Sequence, residues 1–158
     1  MPVSFGIMIH GGAGTGKIRK SSKHAQDISK ALENSVSTGY DILEKSDGDA
    51  AAVNAVESAV ASMEDSGLFN VGIDSCLILD KRIEMNASIM NGKDLAAGSV
   101  GMVQHMQNPV KLARQVMERT DHTMFVSDGP LELAKLFNIT VAPVEPFLFI
   151  IDFHLLRE

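Results

Sequence analysis

The glycine-rich run Gly11-Gly12-Ala13-Gly14-Thr15-Gly16-Lys17 is the first place in this 158-residue sequence where residue types and spacing could do chemistry. The amides of such a loop can cradle phosphate, and Gly11, Gly16 and Lys17 fit the GxxxxGK spacing of a nucleotide-binding P-loop. The next residue is Ile18, where that motif needs a hydroxyl to hold magnesium. Nucleotide binding through Gly11 to Lys17 therefore stands as an alternative without its metal ligand. The histidines, His10, His24, His105, His122 and His154, show neither HxH nor HxxxH spacing, and a single cysteine cannot build a zinc centre. Gly98-Ser99-Val100-Gly101 misses the GxSxG elbow of a serine hydrolase by one position. An N-terminal threonine can attack through its hydroxyl while its own amine takes the proton. The one Gly-Thr step is Gly14-Thr15, and a cut there would discard the first strand. No side chain of the sequence reads as a nucleophile with a base beside it.

The totals bound the rest. Hydrophobic residues make up 45% and charged residues 22%, which is globular composition, and the length is that of one domain. A formal charge of −6, with no basic stripe beyond residues 17–23, argues against a nucleic-acid partner. Cys76 cannot form an intrachain disulfide and reads as a small buried hydrophobe in a reducing compartment. The N-terminus has no charged region of the kind that opens a signal peptide. The apolar run at 147–156 is interrupted by Asp152 and His154 and is too short to span a bilayer. The expectation is a soluble, cytoplasmic protein.

These residues must be positioned by elements that the periodicity supplies. Residues 5–10 read as a buried strand running into the glycine loop. From about Ser22 the pattern is helical, with Ile28, Leu32, Val36, Tyr40 and Leu43 on one face. Ser46-Asp47-Gly48 breaks the chain and recaps it. A second helix over 49–63 carries Val53, Val56, Val60 and Met63 on one stripe and Ala52, Ala55 and Ala59 on another, which suits packing between a sheet and a helix. After an irregular segment, 76–79 and 82–90 read as a hairpin around Asp80-Lys81. Within it Ile83, Met85, Ala87 and Ile89 alternate with polar residues. Residues 98–104 read as a third strand. Pro109 opens a helix with Leu112, Ala113, Val116 and Met117 inward. A brief strand at 124–126, a helix at 130–137 and a loop marked by Pro143 and Pro146 follow. The expected class is α+β, a layered fold with antiparallel pairing and a mostly antiparallel sheet on two long helices. The chain reads as one domain over 1–158, its last part, 141–158, being the least defined.

Four stretches in order, His10-Gly11-Gly12-Ala13-Gly14, EDSGLFNVGIDS at 64–75, IEMNASIMNGKDL at 83–95 and NPVKLARQVMERT at 108–120, resemble the plant-type asparaginase/isoaspartyl peptidase family of N-terminal-nucleophile hydrolases. The resemblance covers roughly 5–140 and corresponds to the family's alpha, or N-terminal, half. It implies half of an αββα sandwich, made as a precursor that cleaves itself before a threonine, which then hydrolyses asparagine or β-aspartyl peptides. That threonine, the oxyanion donors and the Arg and Asp that clamp substrate would come from a beta subunit, so this chain by itself carries no catalytic residue. The assembly implied is a homo-oligomer, a dimer of alpha–beta units. Choice among free asparagine, isoaspartyl peptides and glycosylasparagine would be made in the other half. His10, Gly11, Gly12 and Asn70 would support the active site. A structural sodium ion would be held by the main-chain carbonyls of Met63, Glu64, Ser66, Phe69, Val71 and Ile73, and no organic cofactor is implied. Two departures stand out. Asn86 and Asn91 occupy positions where the family has acidic residues. An alpha half released by self-cleavage would also end in glycine, whereas this sequence ends Leu155-Leu156-Arg157-Glu158, as if a linker were trimmed, left out or never encoded. A catalytically inactive scaffold of the same fold is the corresponding alternative.

Overall fold

Residues 4–12, 22–46, 48–139 and 141 are described by a computed structural model of the chain. The Gly14-Thr15 step, the Gly16-Lys17-Ile18 end of the glycine loop and the run at 147–156 lie outside them. Ser22 caps the first helix, α1 (Lys23–Lys45), its hydroxyl accepting the Ala25 N–H at 3.1 Å. The chain breaks at Ser46, the C-cap of α1, and the second helix, α2 (Ala51–Glu64), begins after Ala50, which makes no side-chain cap, with Gly48 O accepting the Ala51 N–H at 3.2 Å; Asp47 lies outside the described residues. A 3-10 turn (Gly72–Asp74) follows. Then come β1 (Met85–Met90), β2 (Ala97–Val103), α3 (Pro109–Arg119), β3 (Met124–Val126) and α4 (Gly129–Leu136).

The three strands form one sheet in the order β1-β2-β3. β1 pairs antiparallel with β2, and β3 pairs parallel with it. The class is α+β as expected, but the sheet is mixed. The expected hairpin at 76–90 shrinks to an isolated Leu77–Ile83 bridge, because β1 takes its ladder from β2. Alternation along β1 buries Met85 and Ile89 and leaves Asn86 and Ser88 exposed.

The main core lies between this sheet and α3. Leu112, Ala113 and Val116 are fully buried against Met85, Ile89, Val100 and Val103, with Leu133 and Ala134 of α4 closing the end. β2 approaches α3 backbone to backbone: a Cβ on Gly98 would lie 2.2 Å from Ala113 O and 2.4 Å from Met117 N. Arg114 ties α3 to α2 through Glu57 and to its own next turn through Glu118 at 2.7 Å.

α1 and α2 pack through small residues. Ala31, Ser35 and Gly39 are the buried stripe of α1: Gly39 faces Ala55 and Ala59, a Cβ on it sitting 2.9 Å from Ala55 O, the Ser35 hydroxyl donates to Ser62 Oγ at 3.2 Å, and Ala31 packs with Met63 and Phe69. The larger stripe read from the sequence lies to one side of this seam. Ile28, Leu32, Val36 and Leu43 are half-buried and Tyr40 is exposed, because close helix contact selects the small residues. On α2, Val53 and Met63 are buried as expected, while Val56 and Ala52 face out.

Residues 4–12 depart most from expectation. They belong to no regular element and pair with no described strand, and Met8 is 93% exposed. They lie over α1, with the Ile7 side chain reaching Gly39 and the Phe5 ring packed against Tyr40 at 5.4 Å between centroids, the planes tilted by 50°. A buried strand needs neighbours on both edges, and the described residues supply none. Among the described residues no helix is long and apolar enough to cross a membrane.

Candidate functional site

Two loops meet on the N-terminal side of the molecule. The first is the described end of the glycine loop, residues 10–12. His10 Nδ1 accepts the Gly12 N–H at 3.2 Å, and Gly12 has φ +124, a conformation open to glycine. The second is the segment 64–75 that follows α2. Gly11 joins the two: a Cβ there would lie 2.9 Å from the Phe69 ring and 3.0 Å from Leu32. Phe69 is buried with Ala31 and Met63, and Ile9, Ile28, Leu32, Leu68 and Val71 pack around them. Of the four residues expected to support an active site, Gly11 meets the loop that carries Asn70, and His10 and Gly12 flank it in the same turn. The Asn70 side chain is exposed and closes its own loop, its Oδ1 accepting the Cys76 N–H at 2.8 Å. Cys76 itself is exposed, contrary to the buried hydrophobe expected, since it sits between the 3-10 turn and the Leu77–Ile83 bridge, outside both apolar clusters.

The carbonyls expected to hold a cation lie along 63–73. Gly72, at φ +59, folds the segment back on the end of α2 so closely that a Cβ there would fall 2.2 Å from Glu64 O. The helix end leaves carbonyls without intrahelical partners, and this fold-back brings later backbone over them, a cradle suited to a hard cation. Not all six carbonyls are equally disposed. Met63 O already accepts both the N–H (3.1 Å) and the hydroxyl (2.8 Å) of Ser66, and Phe69 O accepts the Val71 N–H at 2.7 Å. Glu64, Ser66, Val71 and Ile73 accept none of the loop's described backbone hydrogen bonds. The fit is therefore best at Glu64, Ser66, Val71 and Ile73 and poorest at Met63. No group of three or more His, Cys, Asp or Glu side chains able to hold a metal occurs among the described residues.

Sequence reasoning placed Glu64 in this loop for its carbonyl and missed its side chain. Glu64 is 2% exposed, and its Oε1 accepts the Val110 N–H at 3.2 Å, capping the N-terminal turn of α3. Its Oε2 is buried with no hydrogen-bond partner. Burial pushes the carboxyl up to about 7. The Val110 N–H, the neighbouring Asn108 amide and Lys111 pull it down, and the charge of Asp65 pushes it further up. Asp65 receives Gln107 Nε2 and Asn108 Nδ2, both at 2.9 Å. The two carboxylates ending α2 thus hold the residues that begin α3, which explains why Asn108-Pro109 lies where it does. At the other end of the loop, burial raises the Asp74 carboxyl, with His24 opposing.

Asn86 and Asn91 serve local backbone: Asn86 Oδ1 accepts the Met102 N–H at 3.0 Å and Asn91 Oδ1 the Lys93 N–H at 3.1 Å. The face of the sheet away from α3 is open, exposing Met90, Met124 and Val126, with Met102 at the end of β2.

A sequence model of the family described as asparaginase matches residues 3–154. The chain is 43% identical over 132 residues to a plant-type L-asparaginase of Pyrococcus furiosus, covering 84% of this chain and 41% of that protein. It is 40% identical over 139 residues to a human isoaspartyl peptidase/L-asparaginase, covering 88% of this chain and 43% of the relative. For the isoaspartyl peptidase/L-asparaginase of Rattus norvegicus the identity is 42% over 146 residues, with 92% and 42% covered. The chain thus spans about two fifths of the length of the curated relatives it matches.

Proposed function

The chain belongs to the plant-type asparaginase/isoaspartyl peptidase family, and from that premise we propose that it is the alpha half of an amidohydrolase acting on the side-chain amide of asparagine or on isoaspartyl peptide bonds. A beta half supplies the N-terminal threonine nucleophile, the oxyanion donors and the groups that grip substrate. The observation that carries this reading is the contact of Gly11 with Phe69, which locks the His10-Gly11-Gly12 turn to the loop bearing Asn70.

In such an assembly the threonine hydroxyl attacks the amide carbon while its α-amine takes the proton. The present chain contributes position. Its 10–12 turn and 64–75 loop are shaped by their own hydrogen bonds, so they meet the incoming half already formed. The open sheet face and segment 4–12, which pairs with no described strand, support a second half that covers them. The same loop holds a structural sodium ion through carbonyls of the 63–73 stretch, and the ion's part is to stiffen the loop.

A second reading, a scaffold without turnover, draws on the local duties of His10 Nδ1 and Asn70 Oδ1, both engaged with their own loops. One experiment separates the two. Intact mass of native material identifies any co-purifying chain that begins in threonine, and the pair is assayed for ammonia from asparagine and for aspartate from β-aspartyl dipeptides. Turnover by the pair and none by the 158-residue chain is the expected result. A folded, stoichiometric complex that releases neither product leaves the scaffold reading standing.

A further inference from the structure

The carbonyls that hold the cation in the reading above are neutral, so they bring no charge to offset an ion taken out of water. The charged side chain buried at that loop is Glu64. Its backbone carbonyl lies under Gly72 in the cradle, its Oε1 caps Val110, and its Oε2 is enclosed without a partner. An enclosed carboxylate oxygen left alone is costly, and such atoms in native proteins are satisfied by water or an ion. Asp65, next along the chain, is exposed and has Gln107 and Asn108 on its Oδ1, so it carries far less of its field into the loop.

We propose that the Glu64 carboxylate is the counter-charge of the loop cation and that, through Val110, it makes ion binding and the docking of α3 one coupled event. The proposal rests on the sodium reading of the 63–73 loop and adds to it a residue that acts through charge and not as a direct ligand. The ion sits beside the buried Oε2 side of Glu64 while Oε1 holds the Val110 N–H, so a firmer grip on one side firms the other. The coupling is reciprocal by necessity.

The test titrates sodium chloride into the 158-residue chain at constant ionic strength, with choline as the balancing cation. Binding is read by sodium-23 line broadening, and exchange of the Val110 amide is followed by NMR. In the wild type, sodium binds and slows Val110 exchange. Glu64→Gln, which keeps size and an acceptor, weakens sodium binding on the order of tenfold and loses the Val110 response. Asp65→Asn changes sodium binding by less than about twofold. Glu64→Asp, which keeps the charge on a shorter stem, retains sodium binding within a few-fold but loses protection at Val110, so the outcome does not hang on one variant's folding. Wild-type-like sodium binding by Glu64→Gln overturns the proposal and leaves the cation site standing. No sodium binding by the wild-type chain overturns both.

Discussion

The two sides of α2 face different kinds of neighbourhood. Toward α3 and the sheet, the molecule is closed: Leu112, Ala113 and Val116 are fully buried, and β2 touches α3 backbone to backbone at Gly98. Toward α1 and segment 4–12, helix contact is close through Ala31, Ser35 and Gly39, but the outer layer is a segment that pairs with no described strand and a loop anchored by Leu68, Phe69 and Val71 in a small apolar cluster. Both regions use small residues for close approach, yet only the first is a complete layer pair. Local patterning can thus build an element's shape without supplying its surroundings, and the region nearest the candidate site is the one left incomplete.

The largest effect that would break this contrast is expected at Leu112. Leu112→Ala opens a cavity in the closed core and is expected to cost about 2–5 kcal/mol by urea unfolding. Ile9→Ala on the open side is expected to cost less than about 1 kcal/mol in the chain alone, and equal costs at the two sites would erase the distinction. Next comes the junction between the regions, Glu64. Its folded carboxyl lies near 7 and the ordinary value is 4.5, so the folded state keeps a proton that the unfolded chain has released. Stability in sodium-free buffer is then greatest below the ordinary value and falls as pH rises through the window from 4.5 to about 7. The fall is up to about 1.4 kcal/mol per pH unit, and it levels off above that window. Glu64→Gln is expected to flatten the profile, and a wild-type stability that rises through the window contradicts the assignment. A smaller effect should sharpen the picture of the open face. Met102 is half-exposed with φ +56, a left-handed conformation costly for a side-chain-bearing residue. Met102→Gly is expected to change stability by no more than about 1 kcal/mol, on the stabilising side, in thermal unfolding.

Much of the closed region was legible in the sequence. Pro109 followed by Leu112, Ala113 and Val116 gave α3 and its inward face, and the alternation at Met85, Ala87 and Ile89 gave β1, because both periods report burial on one side. The segment at 5–10 has the composition of a buried strand, but composition cannot say where the partner strands come from. For α1 the eye follows large residues, whereas close helix packing selects Ala31, Ser35 and Gly39. In the candidate site the contact of Gly11 with Phe69 joins residues far apart in sequence, which only the fold reveals. A glutamate closing a helix reads as a surface charge. Its burial follows from α3 docking its first turn on it, a tertiary fact without a local signature.

Segment 4–12, which pairs with no described strand, has a consequence for the life of the protein in a cell. An exposed backbone outside regular structure, beside apolar side chains such as Phe5 and Met8, is what degradative enzymes and holdase chaperones grip. A copy in which that segment stays uncovered would be cleared faster than one in which it is covered.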